Sequence, residues 1–386
     1  MTTKIAILGS TGSIGKNLIK IIQKEKNKFE VKLLTARKNY QTLIKQAEKL
    51  KVKNVILTDY NSFLLAKKKN KTKIKIYNDF GSLNKILKNK IDYSMCAISG
   101  LDGLLPLLNI IKFSKCIAIA NKESIICGWR LILKELKKYN TTFVPVDSEH
   151  YSIFFGIKNY NNKLIDQVYL TASGGPFLNL PVNKFHKISI KDALKHPNWN
   201  MGKKISIDSA TMMNKVFEVV EAKKIFNIPY KKIKIIIHPK SYLHAIIKFK
   251  NGMIKLIAHD TTMKIPIANS LPFYNFKQKF TNNLDIEKLN NLNLKTPSPS
   301  QFPIIKIIDN LPEKDTLFDT ILVSLNDELV KMFLEKKIKY IDISSLFLKL
   351  VKSKEFIKYK KISEQNFSDI VKLDKYVRLK VRALSI

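Results

Sequence analysis

Short apolar runs alternate with helix-length amphipathic stretches through the first 146 residues, and the runs at 4–8, 31–35, 54–57, 74–77, 93–98, 116–120 and 142–146 read as strands. Strands that are apolar on both faces and separated by helices predict a parallel sheet covered on both sides, a doubly wound α/β layout. A further strand at 165–171 leads into a stretch rich in glycine and proline. Strands at 233–237, 243–249 and 253–259 follow, with turn signals at His238-Pro239 and Asn251-Gly252. This middle portion predicts an α+β domain. Thr296-Pro297-Ser298-Pro299-Ser300-Gln301-Phe302-Pro303 is punctuated by proline and predicts a linker, too rigid and donor-poor for helix or central strand. Beyond it Phe318, Ile321, Leu322, Leu325 and Leu329, then Ile343, Leu346, Phe347, Leu350 and Val351, keep helical period. The chain therefore divides into a doubly wound domain at 1–147, an α+β domain at 148–275 with a mobile loop at 173–203, a linker at 276–303 and a helical domain at 304–386.

One predicted helix breaks the pattern. Thr211, Asn214, Lys215 and Glu218 share a face by three- and four-residue spacing, while Met212, Val216, Val219 and Val220 fall away from it. A polar stripe is ordinarily the solvated half of an amphipathic helix. Solvated faces in this chain are written in lysine, however, and this one offers a hydroxyl, an amide, one amine and one carboxylate. That mixture suits a phosphorylated, polyhydroxylated ligand.

Composition narrows the classes. With 45% hydrophobic and 10% aromatic residues over 386 positions, the chain is globular rather than disordered. The formal charge of +38 raises the thought of nucleic acid or an anionic membrane. Yet all but four of the 69 basic residues are lysine, the exceptions being Arg37, Arg130, Arg378 and Arg382, and the lysines are spread along the chain. Base and phosphate recognition favours the arginine fork, so the excess reads as compositional bias and no nucleic-acid partner is expected. Cys96, Cys116 and Cys127 show no paired spacing, which points to a reducing cytoplasm. No apolar segment approaches the length of a membrane span, and the N-terminal run is too short for a signal peptide.

Several strand ends carry candidate chemistry. The first strand runs into Gly9-Ser10-Thr11-Gly12-Ser13-Ile14-Gly15 and then a helix. Glycines there allow close approach of a pyrophosphate to free helix-terminal amides, although an ordinary tight turn has the same look. The second strand ends in Ala36-Arg37-Lys38-Asn39 with no acid following nearby, which favours a dinucleotide bearing a 2′-phosphate. Val144-Pro145-Val146-Asp147-Ser148-Glu149-His150 sets two acids and a histidine at a strand end. With the distant Glu218, Asp147 and Glu149 would offer three hard oxygen ligands for Mg²⁺ or Mn²⁺, while helix capping is the alternative. At Asn121-Lys122-Glu123-Ser124, Lys122 would neutralise developing negative charge, or the motif is a cap with solvated charges. Trp199, in His196-Pro197-Asn198-Trp199-Asn200-Met201-Gly202, reads either as a lid over a ligand or as a side chain tucked into the core. His238 and His244 read as structural histidines.

Taken together, the glycine loop, Asn121-Lys122-Glu123-Ser124, Val146-Asp147-Ser148-Glu149-His150, Ser173-Gly174-Gly175-Pro176-Phe177 and the run from His196 to Ala222 closely resemble the 1-deoxy-D-xylulose 5-phosphate reductoisomerases of the non-mevalonate isoprenoid pathway. The resemblance runs in order through about residue 275. It implies a Rossmann-like N-terminal domain, a homodimer, and metal-assisted retro-aldol cleavage and aldol recombination of a ketose phosphate followed by hydride transfer from NADPH. It implies Asp147, Glu149 and Glu218 as ligands of Mg²⁺ or Mn²⁺. Ser173, Ser209, Asn214 and Lys215 would grip the phosphate, with His196 closing from the loop, and Lys122, Ser148 and Glu149 would sit at the reacting hydroxyls. By the same resemblance Lys122, Glu149, His196 and Glu218 would form the catalytic set. Thr11, Gly12, Ser13 and Ile14 would cradle the pyrophosphate, with Arg37, Lys38, Asn39, Asn121, Glu123 and Gly202 as further cofactor contacts.

Three positions depart from the family pattern: Arg37 and Val216 stand in place of glycine, as does Ala172 before Ser173. Arg37 either adds a cation for the 2′-phosphate or crowds the adenosine. A rival reading, an aldehyde dehydrogenase of the semialdehyde type, needs a reactive cysteine, for which Cys127 is the candidate. The non-enzyme rival is a basic nucleic-acid-binding protein.

Overall fold

All seven early apolar runs form strands in the computed structural model, which describes residues 2–199, 201–272, 280–281 and 283–384. They are β1 (Thr3–Leu8), β2 (Phe29–Ala36), β3 (Asn54–Leu57), β4 (Lys75–Tyr77), β5 (Ile91–Cys96), β6 (Ser114–Ile119) and β7 (Thr142–Pro145). Every pairing is parallel, in the order β4-β3-β2-β1-β5-β6-β7. The order reverses at β1, which pairs with β2 on one side and β5 on the other. The carboxyl ends there form a switch point, the place where open α/β sheets receive ligands. Ile5, Ala6, Ile7 and Leu8 are fully buried, as a strand covered on both faces must be. The helix Ser13–Lys24 adds Leu18, Ile19, Ile21 and Ile22 to this core. Each such side chain contributes about 1.5–3 kcal/mol by leaving water.

Two units divide the chain: Met1–Ser124, Arg130–Tyr151 and Thr262–Asn282 make the first, and Ile125–Trp129, Ser152–Thr261 and Asn283–Ile386 the second. The helix Lys264–Ser270 returns to the first unit, where Ile267, Ala268 and Leu271 join the sheet's core and Ser270 shares a 2.7 Å hydrogen bond with Tyr93. A partition into consecutive segments does not express this re-entry. The boundary placed between 275 and 276 lies outside the described residues, as does Asn200 of the tryptophan loop.

The second unit is built on β8 (Ile165–Ala172), β9 (Ile233–Ile237), β10 (Leu243–Phe249) and β11 (Ile254–Ala258), in the order β11-β10-β8-β9. β8 and β9 are parallel, and β10 runs against both β8 and β11. Parallel neighbours need a crossover, and residues 173–232 supply it. The single polar helix expected there is two helices, Lys203–Ala210 and Met213–Phe226, separated by Met212 in the left-handed region at φ 66°. Thr211 therefore leaves the shared face and turns its hydroxyl back to the carbonyls of Ile207 and Asp208. The loop at 173–203 contains a 3₁₀ segment, Val182–Lys187, and the capped turn Ile190–Ala193.

The predicted linker takes part in the fold. Lys295 exchanges two backbone hydrogen bonds with Ile237 at the edge of β9, and Phe302 is 1% exposed. Beyond it the helices Phe318–Leu334, Tyr340–Val351 and Phe367–Arg382 confirm the helical C-terminal reading. The first is buried nearly all round, so its polar residues need partners: Asn326 donates to Asp208 at 2.7 Å, and Glu328 receives Arg382 at 2.7 and 3.0 Å. No helix among the described residues is long and apolar enough to cross a membrane.

Candidate active site

In the first unit the glycine loop is dictated by close approach. Gly9 has φ 82°, and a Cβ there would lie 2.6 Å from the carbonyl oxygen of Ala97; one on Gly15 would lie 2.5 Å from that of Gly9. Only hydrogen fits at either place. Gly12 opens the helix Ser13–Lys24 without a side-chain cap, leaving Gly12 and Ser13 exposed at a positive dipole end. Arg37, Lys38 and Asn39 follow the neighbouring strand β2 and are all exposed. Asn39 also caps the next helix by accepting from Thr42 at 3.1 Å. The sequence places no acid near Arg37, but the fold does: Asp102, 65 residues away, meets its guanidinium at 3.0 Å. Asn121, at the end of β6, caps the helix Lys122–Lys138 through Ser124 and ties its amide to the carbonyls of Ile98 and Gly100.

With Asn121 as cap, Lys122 is released for other work. Its Nζ lies 2.9 Å from Asp147 Oδ2, and Nδ1 of the fully buried His150 lies 3.7 Å from the same oxygen. Burial by itself would raise the Asp147 pKa, but the Lys122 charge and His150 outweigh it and hold the carboxyl well below the usual carboxylate range. Asp147 Oδ1 accepts from the Ser148 amide at 3.1 Å, and the Ser148 hydroxyl donates to Glu149 at 2.6 Å. Thus Lys122, Asp147, Ser148, Glu149 and His150 are gathered at the carboxyl ends of β6 and β7. Of these, the sequence reading gave His150 no role.

In the second unit Ser173 and His196 come together, Oγ to Nε2 at 3.0 Å. His196 Nδ1 accepts the amides of Trp199 at 2.9 Å and Asn198 at 3.2 Å, so the ring proton belongs on Nε2 and points at Ser173. Burial lowers the His196 pKa to about 4, so the ring is a neutral donor at neutral pH. Asn198 is anchored to Pro239 and Ser241, and Trp199 meets the His244 ring edge-on at 6.3 Å. His244 in turn stacks on His259 at 3.6 Å, and His238 shares a 2.5 Å bond with the Leu292 carbonyl, as structural histidines do. A cavity of about 740 Å³ opens along this loop, lined by Ser173, Gly175, Phe177, Lys184, Lys195 and Pro197 among others.

The face formed by Asn214, Lys215 and Glu218 does not look into solvent. Lys215 is 4% exposed and Glu218 1%, with Glu218 receiving both Asn214 Nδ2 and Lys215 Nζ. Ser209 lies half-buried in the last turn of the preceding helix, and Gly202 caps its start. Glu221, one turn beyond Glu218 and 1% exposed, escaped the sequence reading, although an acid inside a valine-rich stripe was a usable signal. The metal-ligand candidates are thus divided, Asp147 and Glu149 in the first unit and Glu218 in the second. Carboxylate oxygens alone, with Asp147 held ionised, are the donor chemistry of a hard divalent cation.

Three family models match in series: 1-deoxy-D-xylulose 5-phosphate reductoisomerase over residues 5–128, its C-terminal domain over 143–226, and the DXP reductoisomerase C-terminal domain over 260–380. A 1-deoxy-D-xylulose 5-phosphate reductoisomerase of Pelagibacter ubique (strain HTCC1062) is 60% identical over 386 residues, covering 99% of this chain and 100% of the relative. The chain belongs to the 1-deoxy-D-xylulose 5-phosphate reductoisomerase family. A reductoisomerase of Sulfurihydrogenibium sp. (strain YO3AOP1) is 37% identical, covering 94% of each chain. Among solved structures, the reductoisomerase from Zymomonas mobilis in complex with NADPH superposes with a TM-score of 0.89 at 28% identity, covering all of both chains. A reductoisomerase in complex with NADPH, fosmidomycin and magnesium gives 0.90 at 29%, covering 99% of this chain and 98% of that one. Membership disposes of the semialdehyde dehydrogenase reading, and the thiol agrees: Cys127 is 3% exposed, and burial pushes its pKa well above the ordinary value.

Proposed function

We propose that the site works as follows. The chain catalyses the NADPH-dependent reductive isomerisation of 1-deoxy-D-xylulose 5-phosphate to 2-C-methyl-D-erythritol 4-phosphate, in isoprenoid precursor biosynthesis, with a divalent metal ion. Asp147, Glu149 and Glu218 hold the ion, Mg²⁺ or Mn²⁺. When bound, the ion supplies Lewis-acid polarisation of two substrate oxygens and the dinucleotide supplies the hydride. The chain's own residues do the rest. Ser173, Ser209, Asn214 and Lys215 bind the phosphate, and neutral His196 adds an Nε2 donor from the loop. Lys122 sits beside Asp147 and steadies negative charge at the reacting oxygens. Ser148 and Glu149, already hydrogen-bonded to each other, orient the substrate hydroxyls. Thr11, Gly12, Ser13 and Ile14 offer the helix terminus to the pyrophosphate, Arg37, Lys38 and Asn39 face the 2′-phosphate, and Asn121, Glu123 and Gly202 complete the cofactor contacts.

The observation that carries this reading is the ionised Lys122–Asp147 pair, buried at its lysine and half-buried at its carboxylate, beside Glu149 at the carboxyl edge of the sheet. An NADPH-oxidation assay with 1-deoxy-D-xylulose 5-phosphate, with and without chelator, tests it. Turnover is expected only with metal, and oxidation that ignores the chelator overturns the reading.

The functional division at 1–147, 148–275 and 304–386, with the linker between, belongs to the same proposal, as does a cytoplasmic homodimer without nucleic-acid or membrane partners. For the dimer, β11 is a sheet edge whose Ile254 and Leu256, with Met253 just before it, are more than half exposed, the kind of surface a second copy covers. Sedimentation of the purified chain as a monomer would refute it.

A further inference from the structure

The segments that carry Ser173 and Ser209 lie against each other, and one side chain of the C-terminal helical region touches both. Gly175, two residues after Ser173, has φ 67°, and a Cβ on it would stand 3.0 Å from the carbonyl oxygen of Ser209 and 3.1 Å from Ala210 Cα. The two backbones are therefore in direct contact. Left-handed Met212 stops the helix Lys203–Ala210, whose last carbonyls then need donors from outside the helix. Tyr340 provides one: its buried hydroxyl donates to the Ala210 carbonyl at 2.7 Å. The same ring meets Phe177 edge-on, with centroids 5.1 Å and planes 71° apart, and Phe185 and Phe333 complete its seat at 6.0 Å each. Phe177 closes the Ser173-Gly174-Gly175-Pro176-Phe177 loop. Gln301 pins that loop from another side, donating at 2.8 Å to the carbonyls of both Phe177 and Leu178.

We propose that Tyr340 is a positioning residue for the substrate phosphate, its hydroxyl on Ala210 and its ring on Phe177 fixing the spacing between the Ser209 and Ser173 hydroxyls. The proposal rests on the phosphate-binding reading of those two serines. A phosphate gripped by donors from two backbone segments is held only as well as the segments are held to each other, and a displacement of about 1 Å is enough to weaken such a grip. Tyr340 touches no substrate; it acts through the segments it joins.

Steady-state kinetics on Tyr340→Phe, Ser209→Ala and the double variant test this, with thermal melts as a check on folding. Tyr340→Phe keeps the ring packing and removes one buried hydrogen bond. Expected is a KM for 1-deoxy-D-xylulose 5-phosphate raised about fivefold, with kcat changed less than about twofold and the KM for NADPH unchanged. Because the hydroxyl acts through Ser209, the double variant should be no worse than Ser209→Ala alone. An unchanged KM for the ketose phosphate in Tyr340→Phe, an equal rise for both substrates, or full additivity in the double variant overturns the proposal. A normal KM in Ser209→Ala would show instead that the phosphate reading itself is wrong, taking the proposal with it. Should Tyr340→Phe not fold, Gln301→Ala loosens the same loop, and a KM unmoved there counts against the proposal equally.

Discussion

The helix Met213–Phe226 buries a lysine near each end, and the two are partnered in opposite ways. Lys224, near the last turn, lies between Asp315 and Asp319 at 2.7 Å each, carboxylates that come from a distant stretch of the chain. Burial would lower its pKa, but the charges of Asp319 and Asp315 outweigh that and lift it to about 12. Lys215, in the first turn, pairs with Glu218 of its own helix, and Glu218 also receives Asn214. Burial of a charge, common to both ends, does not mark a site. Acids brought from elsewhere in the chain close Lys224 into a tie between elements. Lys215, Asn214 and Glu218 instead bring an amine, an amide and a carboxylate together within little more than one turn, the residues proposed above to meet the phosphate and the metal ion.

Glu218→Gln should break the comparison at its functional end and produce the largest effect. The amide preserves shape and can still accept from Asn214, but it removes a proposed metal ligand. Turnover is expected to fall by at least about a thousandfold, while NADPH affinity, read by fluorescence titration, stays nearly intact. Full activity in this variant would remove Glu218 from the ligand set and reduce the first-turn cluster to a structural one.

Lys224→Met tests the structural end. It leaves two carboxylates facing an apolar side chain in a buried position, and breaking such a pair costs about 3–5 kcal/mol. Urea unfolding should show that loss, while kcat of the folded fraction is unchanged. The sign with pH follows from the raised pKa. The Lys224 contribution is fully present below the ordinary lysine value of 10.5 and fades only as pH climbs through about 12, so the wild-type advantage should be flat across neutral pH. A Lys224→Met protein as stable as the parent would show that the tie contributes nothing.

The same contrast shows what was legible in the sequence. Runs such as Ile5–Leu8 could be read because a doubly covered parallel strand has an unmistakable apolar signature, and all seven strands stand where those runs lie. The Asp147-Ser148-Glu149-His150 cluster was legible because acids at a strand end are costly without a purpose. The break at Met212 was not, since methionine is an ordinary helix former and nothing local announces a left-handed turn. Asp102 beside Arg37 and Tyr340 beneath Ala210 lie 65 and 130 residues from the groups they meet, contacts set by topology and not by any local pattern. The return of Ile267, Ala268 and Leu271 to the first unit was hidden for the same reason.

Arg37 offers the smallest effect and the sharpest refinement. Its pair with Asp102 is 3.0 Å long against 2.7 Å for the ties around Lys224, and both side chains are more than two-thirds exposed. An exposed pair is worth little and is screened by salt, so Asp102 can give Arg37 up to an incoming phosphate, which Asp315 and Asp319 cannot do for Lys224. Arg37→Gly should weaken NADPH binding about threefold and leave NADH binding unchanged, with the difference shrinking as salt is raised. Asp102→Asn should tighten NADPH by less than about twofold, because it frees a cation that was only loosely held. The direction of the Arg37→Gly result decides between the two roles open to this side chain. If glycine there tightens NADPH, Arg37 crowds the adenosine, and the contrast narrows to buried pairs alone. If it weakens NADPH at low salt only, exchange of partners at an exposed arginine is the third case beside the closed tie and the ligand-directed cluster.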